Sequence, residues 1–210
     1  MGGAGGDIIT IGTAGHGNDD TIDGGAGSDV LQLSTGIHTF ANDNKLKNVE
    51  KVQTHSSGSQ VVLTCQTEAF TITGGASADI LTGGSGIDTI TGGAGADIFD
   101  SGAGADIIII TTSGEADSDV IDGGADSDVL KLSTGSADTF STDNKLVNVE
   151  TLQAHASGSQ VVLTGQTEAF TITGGASADN ITGGSGIDTI TGGGACLLYT
   201  SPSPRDLSTS

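Results

Sequence analysis

The chain has 210 residues, of which 26 are acidic and 6 are basic, and its formal net charge at pH 7 is −20. It carries no basic patch to meet phosphate groups, and no segment is apolar for long enough to span a bilayer, so we expect neither nucleic-acid binding nor a membrane-spanning segment. With 36 glycines and only 3% aromatic residues, burial of apolar surface alone is a poor source of stability.

The elements predicted along the chain fall into two repeated units. Residues 1–100 form the first unit, and residues 101–195 form a second, shortened copy. The longest shared stretch, residues 66–79, returns unchanged as residues 166–179. Such closely matched copies indicate a tandem array in a longer parent protein.

A shorter period of nine residues runs inside each unit and is clearest over residues 74–109. Within each nine-residue repeat, glycine is most frequent at the first, second and fourth places, aspartate lies at the sixth, and the eighth residue is usually large and apolar. Glycine permits the positive φ of a tight turn, and the last three places predict a short strand whose central side chain points inward. Two nonapeptides then make one coil of about 18 residues, with a turn at each edge and a parallel sheet on each face.

Residues 33–54 interrupt the glycine–aspartate pattern. They predict a strand followed by a looser crossover, in which Leu46, Val49 and Val52 face inward. The alternative is a short helix over residues 44–52. Both interpretations leave this segment without the nonapeptide turn.

Residues 56–64 and 65–73 keep the nine-residue period but lack the aspartate. They are interpreted as metal-free coils of the same solenoid. Cys65 lies here, and its counterpart in the second unit is Gly165. A single cysteine makes no disulfide framework, and we interpret Cys65 as a small buried residue.

The last residues, 196–210, resemble a translated sequencing adapter and interrupt a repeat just after residues 192–195. They are predicted to be non-native and disordered, and they are set aside in the fold prediction. The preceding residues are interpreted as a piece of a longer protein.

The nonapeptide resembles the RTX (repeats-in-toxin) calcium-binding repeat, G-G-x-G-x-D-x-U-x, in which U is a large apolar residue. Residues 83–91, 92–100 and 101–109 are consecutive matches. The resemblance implies an all-β fold, a right-handed parallel β-roll or β-solenoid whose calcium-binding coils alternate with metal-free coils. It also implies several bound calcium ions. No nucleophile motif is present in the sequence, and we expect no enzyme activity from these residues.

The predicted calcium ligands are the aspartates at the sixth place. Turns of neighbouring coils stack at strand spacing, about 4.8 Å, so carboxylates and turn carbonyls can surround one ion, and calcium accepts six to eight such oxygens. This stacking joins the turn of Asp79 to that of Asp97, and the turn of Asp88 to that of Asp106. Until a cation lies between them the carboxylates repel one another, so we expect calcium-dependent folding. The predicted set is Asp7, Asp20, Asp29, Asp79, Asp88, Asp97, Asp106, Asp119, Asp128, Asp179 and Asp188.

Repetition of this kind is typical of spacers and lattices. The leading interpretation is a calcium-stiffened structural segment of an extracellular bacterial protein, of adhesin-stalk, surface-layer or filament type. The resemblance implies export by a type I secretion route. One alternative is the secretion and folding module of an exported protease or lipase. Another is an ice-binding solenoid, suggested by Thr-x-Thr rungs at residues 71–73 and 89–91. Predicted partners are calcium, neighbouring repeats of the same protein, and further copies at exposed sheet edges.

Overall fold

The computed structural model describes residues 2–13, 20–135, 137–194, 198–200 and 207–209. Within these ranges the chain forms short parallel strands and one turn of 3-10 helix, Asp143–Lys145. The strands, in chain order, are β1 Ile8–Ile11, β2 Ile22–Asp23, β3 Val30–Leu33, β4 Gly36–Thr39, β5 Leu46–Lys47, β6 Lys51–Gln53, β7 Ser59–Val62, β8 Thr71–Thr73, β9 Ile80–Thr82, β10 Thr89–Thr91, β11 Ile98–Asp100, β12 Ile107–Ile110, β13 Val120–Asp122, β14 Val129–Leu132, β15 Ala137–Thr139, β16 Leu146–Val147, β17 Thr151–Gln153, β18 Gln160–Val162, β19 Thr171–Thr173, β20 Asn180–Thr182, β21 Thr189–Thr191, β22 Leu198–Thr200 and β23 Leu207–Thr209.

The strands stack into a solenoid with two faces. In the described part of the chain, one face is an eleven-stranded parallel sheet in the order β1-β3-β6-β8-β10-β12-β14-β17-β19-β21-β23. The other face is divided into sheets of six, four and two strands, in the orders β16-β13-β11-β9-β7-β4, β15-β18-β20-β22 and β2-β5. The predicted all-β parallel solenoid is confirmed, and the larger sheet runs through both repeated units.

Coil length varies along the solenoid. Thr71 pairs with Thr89, 18 residues later, where two nonapeptides follow each other directly. Ile8 pairs with Val30, 22 residues later. The predicted coil of about 18 residues therefore holds for the regular nonapeptide runs, and longer coils place their extra residues in the connections while the strands keep their register.

The core is a narrow column that contains one inward side chain from each regular strand. Ile72, Ile90 and Ile108 stack in register along the large sheet and are fully buried. Leu81 and Phe99 stack in the same way on the opposite face. These are the eighth-place residues, so the period of nine places each of them inside.

The interrupting segment follows the favoured prediction. Leu46, Val49 and Val52 are buried, with exposed fractions of 4% or less. Residues 44–52 contain strand β5 and the start of strand β6 and no helix, so the helical alternative is wrong for the first unit. The inward apolar spacing suits a short helix and an extended crossover equally well, and pairing with β2 and β3 selects the extended conformation.

The threonine rungs stack as predicted on the outer surface of the large sheet. Thr71 pairs with Thr89, and Thr73 with Thr91. The next rung brings Ile107 beside Thr89. The threonine ladder is therefore interrupted between the two units.

Cys65 departs from its sequence-based expectation, and two short segments of the tail are described. Cys65 is exposed, so its predicted burial is wrong; it lies in the turn after β7. In the tail, β22 pairs with β20 and β23 pairs with β21, whereas disorder was predicted for residues 196–210. The last coil offers unpaired N–H and C=O groups on which an extended chain can pair. The other tail residues lie outside the described ranges.

No membrane-spanning segment was predicted from the sequence. Among the described residues, no helix is long and apolar enough to cross a bilayer.

Candidate metal centre

Two columns of acidic residues run along the edges of the solenoid in the described ranges, each residue immediately preceding a strand. In the first column the residues precede strands of the eleven-stranded sheet. They are Asp7, Asp29, Glu50, Asp88, Asp106, Asp128, Glu150 and Asp188. The second column precedes strands of the opposite face and contains Asp79, Asp97, Asp119 and Asp179.

After the first coil, each carboxylate of these columns is anchored to the coil before it. The N–H of Asp79 donates to Oδ1 of Asp97 at 2.8 Å, and the N–H of Asp88 donates to Oδ1 of Asp106 at 2.7 Å. These contacts bring together the two pairs of turns that the sequence predicted to stack. The same bond joins Asp7 to Asp29, Asp97 to Asp119 and Asp106 to Asp128, at 2.7, 2.8 and 2.8 Å.

Where the earlier coil lacks an aspartate, the main chain still provides the donor. Oδ1 of Asp79 accepts from the N–H of Ser59 at 2.6 Å, and Oδ1 of Asp88 accepts from the N–H of Phe70 at 2.7 Å. In the second unit, Asp179 and Asp188 repeat these bonds with Ser159 and Phe170. The aspartate columns are therefore tied to the strand ladder and positioned by it.

Burial separates the regular turns from the irregular ones. The exposed fraction is 4% or less for Asp29, Asp79, Asp88, Asp97, Asp106, Asp119, Asp128, Asp179 and Asp188. Asp7 in the first coil is half-buried, and Asp20 is exposed. The turn before Asp20, residues 14–19, lies outside the described residues.

The second carboxylate oxygen, Oδ2, has one of two environments. After a threonine, as in the repeat that begins at Gly74, the N–H of the second glycine closes the turn: Gly75 donates to Oδ2 of Asp79 at 2.8 Å. Gly84 donates in the same way to Asp88 at 3.0 Å. In these repeats both oxygens of the aspartate accept main-chain hydrogen bonds.

Where the preceding repeat ends in an aspartate at the ninth place, the N–H of the second glycine donates to that aspartate instead. Gly25 donates to Oδ1 of Asp23 at 3.1 Å, and Gly124 donates to Oδ1 of Asp122 at 3.0 Å. Asp100 accepts from Gly102 in the same position. The result is a buried Oδ2 with no hydrogen-bond partner among the described residues in Asp29, Asp106 and Asp128. A buried carboxylate oxygen left unpaired is costly, and a cation beside it removes that cost.

Main-chain carbonyls converge on the same places. A methyl group built on Gly74 would lie 1.9 Å from the carbonyl oxygen of Gly92 and 3.0 Å from Oδ2 of Asp79. On Gly83 it would lie 2.3 Å from the carbonyl oxygen of Ser101 and 2.6 Å from Oδ2 of Asp88. A carbonyl from the next coil and a carboxylate from the same repeat thus meet beside the first glycine.

This donor set fits calcium. Hard oxygen ligands of mixed carboxylate and carbonyl type, in flexible geometry, are what calcium accepts. Over the described ranges, no three His, Cys, Asp or Glu side chains form a group that could hold a metal. The converging oxygens instead combine carboxylates at strand spacing with turn carbonyls, which is the mixture that the sequence predicted.

Four of the buried column aspartates resist ionisation. Burial, reinforced by neighbouring carboxylates, raises the pKa of Asp97 and Asp128 to about 6 and that of Asp106 and Asp119 to about 7. The folded chain therefore favours the protonated form of these groups when no cation neutralises them.

In calcium-free buffer, folding stability should accordingly depend on pH. The unfolded pKa of an aspartate is about 3.9, so between about pH 4 and pH 7 the folded chain binds more protons than the unfolded chain. Stability is then highest at the acidic end of this window and is lost as the pH rises through the folded pKa values. Far-ultraviolet circular dichroism in calcium-free buffer should therefore show more β-structure at about pH 5 than at about pH 8. A β-structure content that rises with pH would contradict this assignment.

Sequence reasoning missed several residues of this arrangement. Glu50 and Glu150 continue the first column outside the nonapeptides, and Asp23, Asp100 and Asp122 decide where the glycine N–H donates. The ninth-place aspartates directly precede the following turn in the sequence. This position was the signal that their carboxylates could accept an N–H of that turn.

Comparison with known proteins agrees with this geometry. A family model described as the RTX calcium-binding nonapeptide repeat matches in four copies, at residues 14–36, 73–108, 113–136 and 171–195, which together make just over half of the chain. A comparison with curated protein sequences gave no significant match. The repeats, the parallel solenoid and the stacked aspartate turns agree with the family match, and the chain belongs to the RTX calcium-binding nonapeptide repeat family.

Proposed function

We propose that the chain is a structural segment of an extracellular bacterial protein that folds and stiffens when it binds calcium. The observation that carries this proposal is the pair of acidic columns, in which buried carboxylates of successive coils are hydrogen-bonded to one another's main chain and held close together. Calcium, when bound, supplies the positive charge that these carboxylates need. Extracellular calcium modules of modest affinity operate at about 0.1 to 1 mM, a concentration range met outside the cell.

The proposed ligands are the sixth-place aspartates together with the carbonyl of the first residue one coil later. The regular set is Asp29, Asp79, Asp88, Asp97, Asp106, Asp119, Asp128, Asp179 and Asp188, with Asp7 and Asp20 in the less regular first turns. In each regular turn the main-chain N–H of the previous coil orients Oδ1. In the turns of Asp29, Asp79, Asp88 and Asp128, Oδ2 lies beside the carbonyl that stacks on it.

A spacer role is supported by the way the two units join. β10 of the first unit pairs with β12 of the second, and Asp88 of the first unit donates to Asp106 of the second, with the geometry found inside each unit. Further units can be added in the same register, and each extends the rod. A secretion module of an exported enzyme would use the same sites, but near-identical units of about a hundred residues favour function by repetition.

Small-angle X-ray scattering of the whole chain tests this proposal. With calcium we expect a folded particle with a radius of gyration of about 17 Å, and in chelator an expanded chain of about 50 Å, from the usual scaling with chain length. Magnesium at the same concentration should leave the chain expanded, because it prefers a tighter octahedral shell and keeps its water. An unchanged radius of gyration with and without calcium would refute a calcium-stiffened segment.

A further inference from the structure

A three-residue segment, Asn48-Val49-Glu50, takes the place of a nonapeptide turn in the first column. The N–H of Asp29 donates to Oε2 of Glu50 at 2.7 Å, as the N–H of Asp88 donates to Oδ1 of Asp106. Val49 is buried with an exposed fraction of 4%. Glutamate has one methylene more than aspartate, which lets its carboxylate reach the column from a shorter turn.

The carbonyl of the same segment also matches a nonapeptide turn. A methyl group built on Gly24 would lie 1.9 Å from the carbonyl oxygen of Asn48 and 2.6 Å from Oδ2 of Asp29. This is the pair of oxygens found beside Gly74. Asn48 has a φ of 50°, a left-handed conformation that asparagine tolerates better than most residues.

A side-chain network holds this geometry. Oδ1 of Asp23 accepts from Nδ2 of Asn48 at 2.8 Å and from the N–H of Gly25 at 3.1 Å. Because Gly25 is engaged by Asp23, Oδ2 of the fully buried Asp29 has no hydrogen-bond partner among the residues that the structure describes.

The arrangement recurs in the second unit. The N–H of Asp128 donates to Oε2 of Glu150 at 2.8 Å, and Nδ2 of Asn148 donates to Asp122 at 2.8 Å. A methyl group on Gly123 would lie 2.0 Å from the carbonyl oxygen of Asn148 and 2.8 Å from Oδ2 of Asp128. Oδ2 of Asp128 is again buried and lacks a hydrogen-bond partner within the described ranges.

We infer that each unit carries an additional calcium site that is completed by residues outside the nonapeptides, formed by Asp29, the Asn48 carbonyl and Glu50 in the first unit. Its counterpart is formed by Asp128, the Asn148 carbonyl and Glu150. Two carboxylates and a main-chain carbonyl are hard oxygen donors suited to calcium. The exposed Glu50 and Glu150 leave the outer side of the site open to water ligands. This inference rests on the proposed calcium binding of the columns.

The test counts calcium ions bound to the whole chain by equilibrium dialysis at saturating calcium. Glu50→Gln keeps the oxygen that accepts from Asp29 but loses the charge, and it should bind one calcium ion fewer than the unchanged chain. Asp43→Asn is the matched control, because Asp43 accepts from Thr67 outside the columns; it should keep the full number. Binding of the full number by Glu50→Gln with unchanged affinity would overturn the inference. Failure of the unchanged chain to bind any calcium would instead refute the proposed function.

A second measurement covers the case in which Glu50→Gln does not fold. Trace gadolinium added to the unchanged, calcium-loaded chain should broaden the nuclear magnetic resonance signals of Asn48 and Glu50 together with those of Asp106. Broadening at Asp106 without broadening at Asn48 and Glu50 would remove the additional site while leaving the nonapeptide sites in place.

Discussion

Replacing Gly74 with alanine should destabilise the calcium-loaded chain by about 3 kcal/mol or more, because the added methyl group overpacks a rigid turn. That methyl group would lie 1.9 Å from the carbonyl oxygen and 2.8 Å from the carbonyl carbon of Gly92. These are main-chain atoms of the next coil, and the N–H of Gly74 is itself bonded to the carbonyl of Thr91 at 2.7 Å. The clash can be relieved only by separating the coils, which also moves the carbonyl away from Asp79. Chemical denaturation in saturating calcium measures the loss.

Gly3→Ala is the control for this prediction. Gly3 belongs to the first repeat of the chain, and no described atom lies within 4 Å of a methyl group built on it. The change should stay within about 0.5 kcal/mol of the unchanged chain. Equal losses at the two positions would show that coil stacking does not limit the space beside Gly74.

Asp106→Asn should change stability in opposite directions with and without calcium. Burial raises the pKa of Asp106 to about 7, and its Oδ2 is buried without a hydrogen-bond partner in the described part of the chain. An asparagine oxygen can still accept from the N–H of Asp88 but carries no charge. In chelator at about pH 8 the variant should therefore be more stable than the unchanged chain, since a buried charge has been removed.

With calcium, the same substitution should weaken binding at the junction of the two units by about tenfold or more, because ligand charge sets calcium affinity. Calorimetric titration of the whole chain measures the affinity, and the β-structure content of the circular dichroism spectrum in chelator reports the change in stability. Asp43→Asn removes one charge from outside the columns and should produce neither effect. A loss of stability in chelator together with unchanged affinity would contradict the assignment of Asp106 as a ligand.

The regular part of the fold was predictable because one period controls both the turn and the core. Residues 74–109 repeat without interruption, so the inward position of Ile90 and the stacking of the turns of Asp88 and Asp106 follow from counting. When nonapeptides of one pattern stack in parallel, only one register aligns the glycines, the aspartates and the apolar residues of neighbouring coils.

The interrupted part could not be predicted to the same depth. Counting by nine places Leu63 in the central strand position of residues 56–64, whereas the structure pairs Val61 with Leu81. The coil between these partners is 20 residues long, so the count from the nonapeptides no longer applies. Glu50 escaped prediction for the same reason, since its place in the column depends on the path of residues 33–49.

The orientation of the aspartate oxygens depends on contacts between neighbouring repeats. Asp23 and Asp122 occupy outward positions at strand ends, which alone suggests solvated side chains. Each captures the N–H of the second following residue and leaves the next sixth-place aspartate with an unpaired oxygen. Two carboxylates, those of the ninth-place and sixth-place aspartates, compete for one glycine N–H. The three-dimensional geometry determines which of them accepts it.

The organisation of this solenoid by calcium can be measured by a calcium titration of the whole chain followed by far-ultraviolet circular dichroism, with magnesium as the control. We expect a cooperative transition from coil to β-structure as calcium approaches the millimolar range, and no transition with magnesium. A spectrum already rich in β-structure in chelator, and unchanged by calcium, would contradict it.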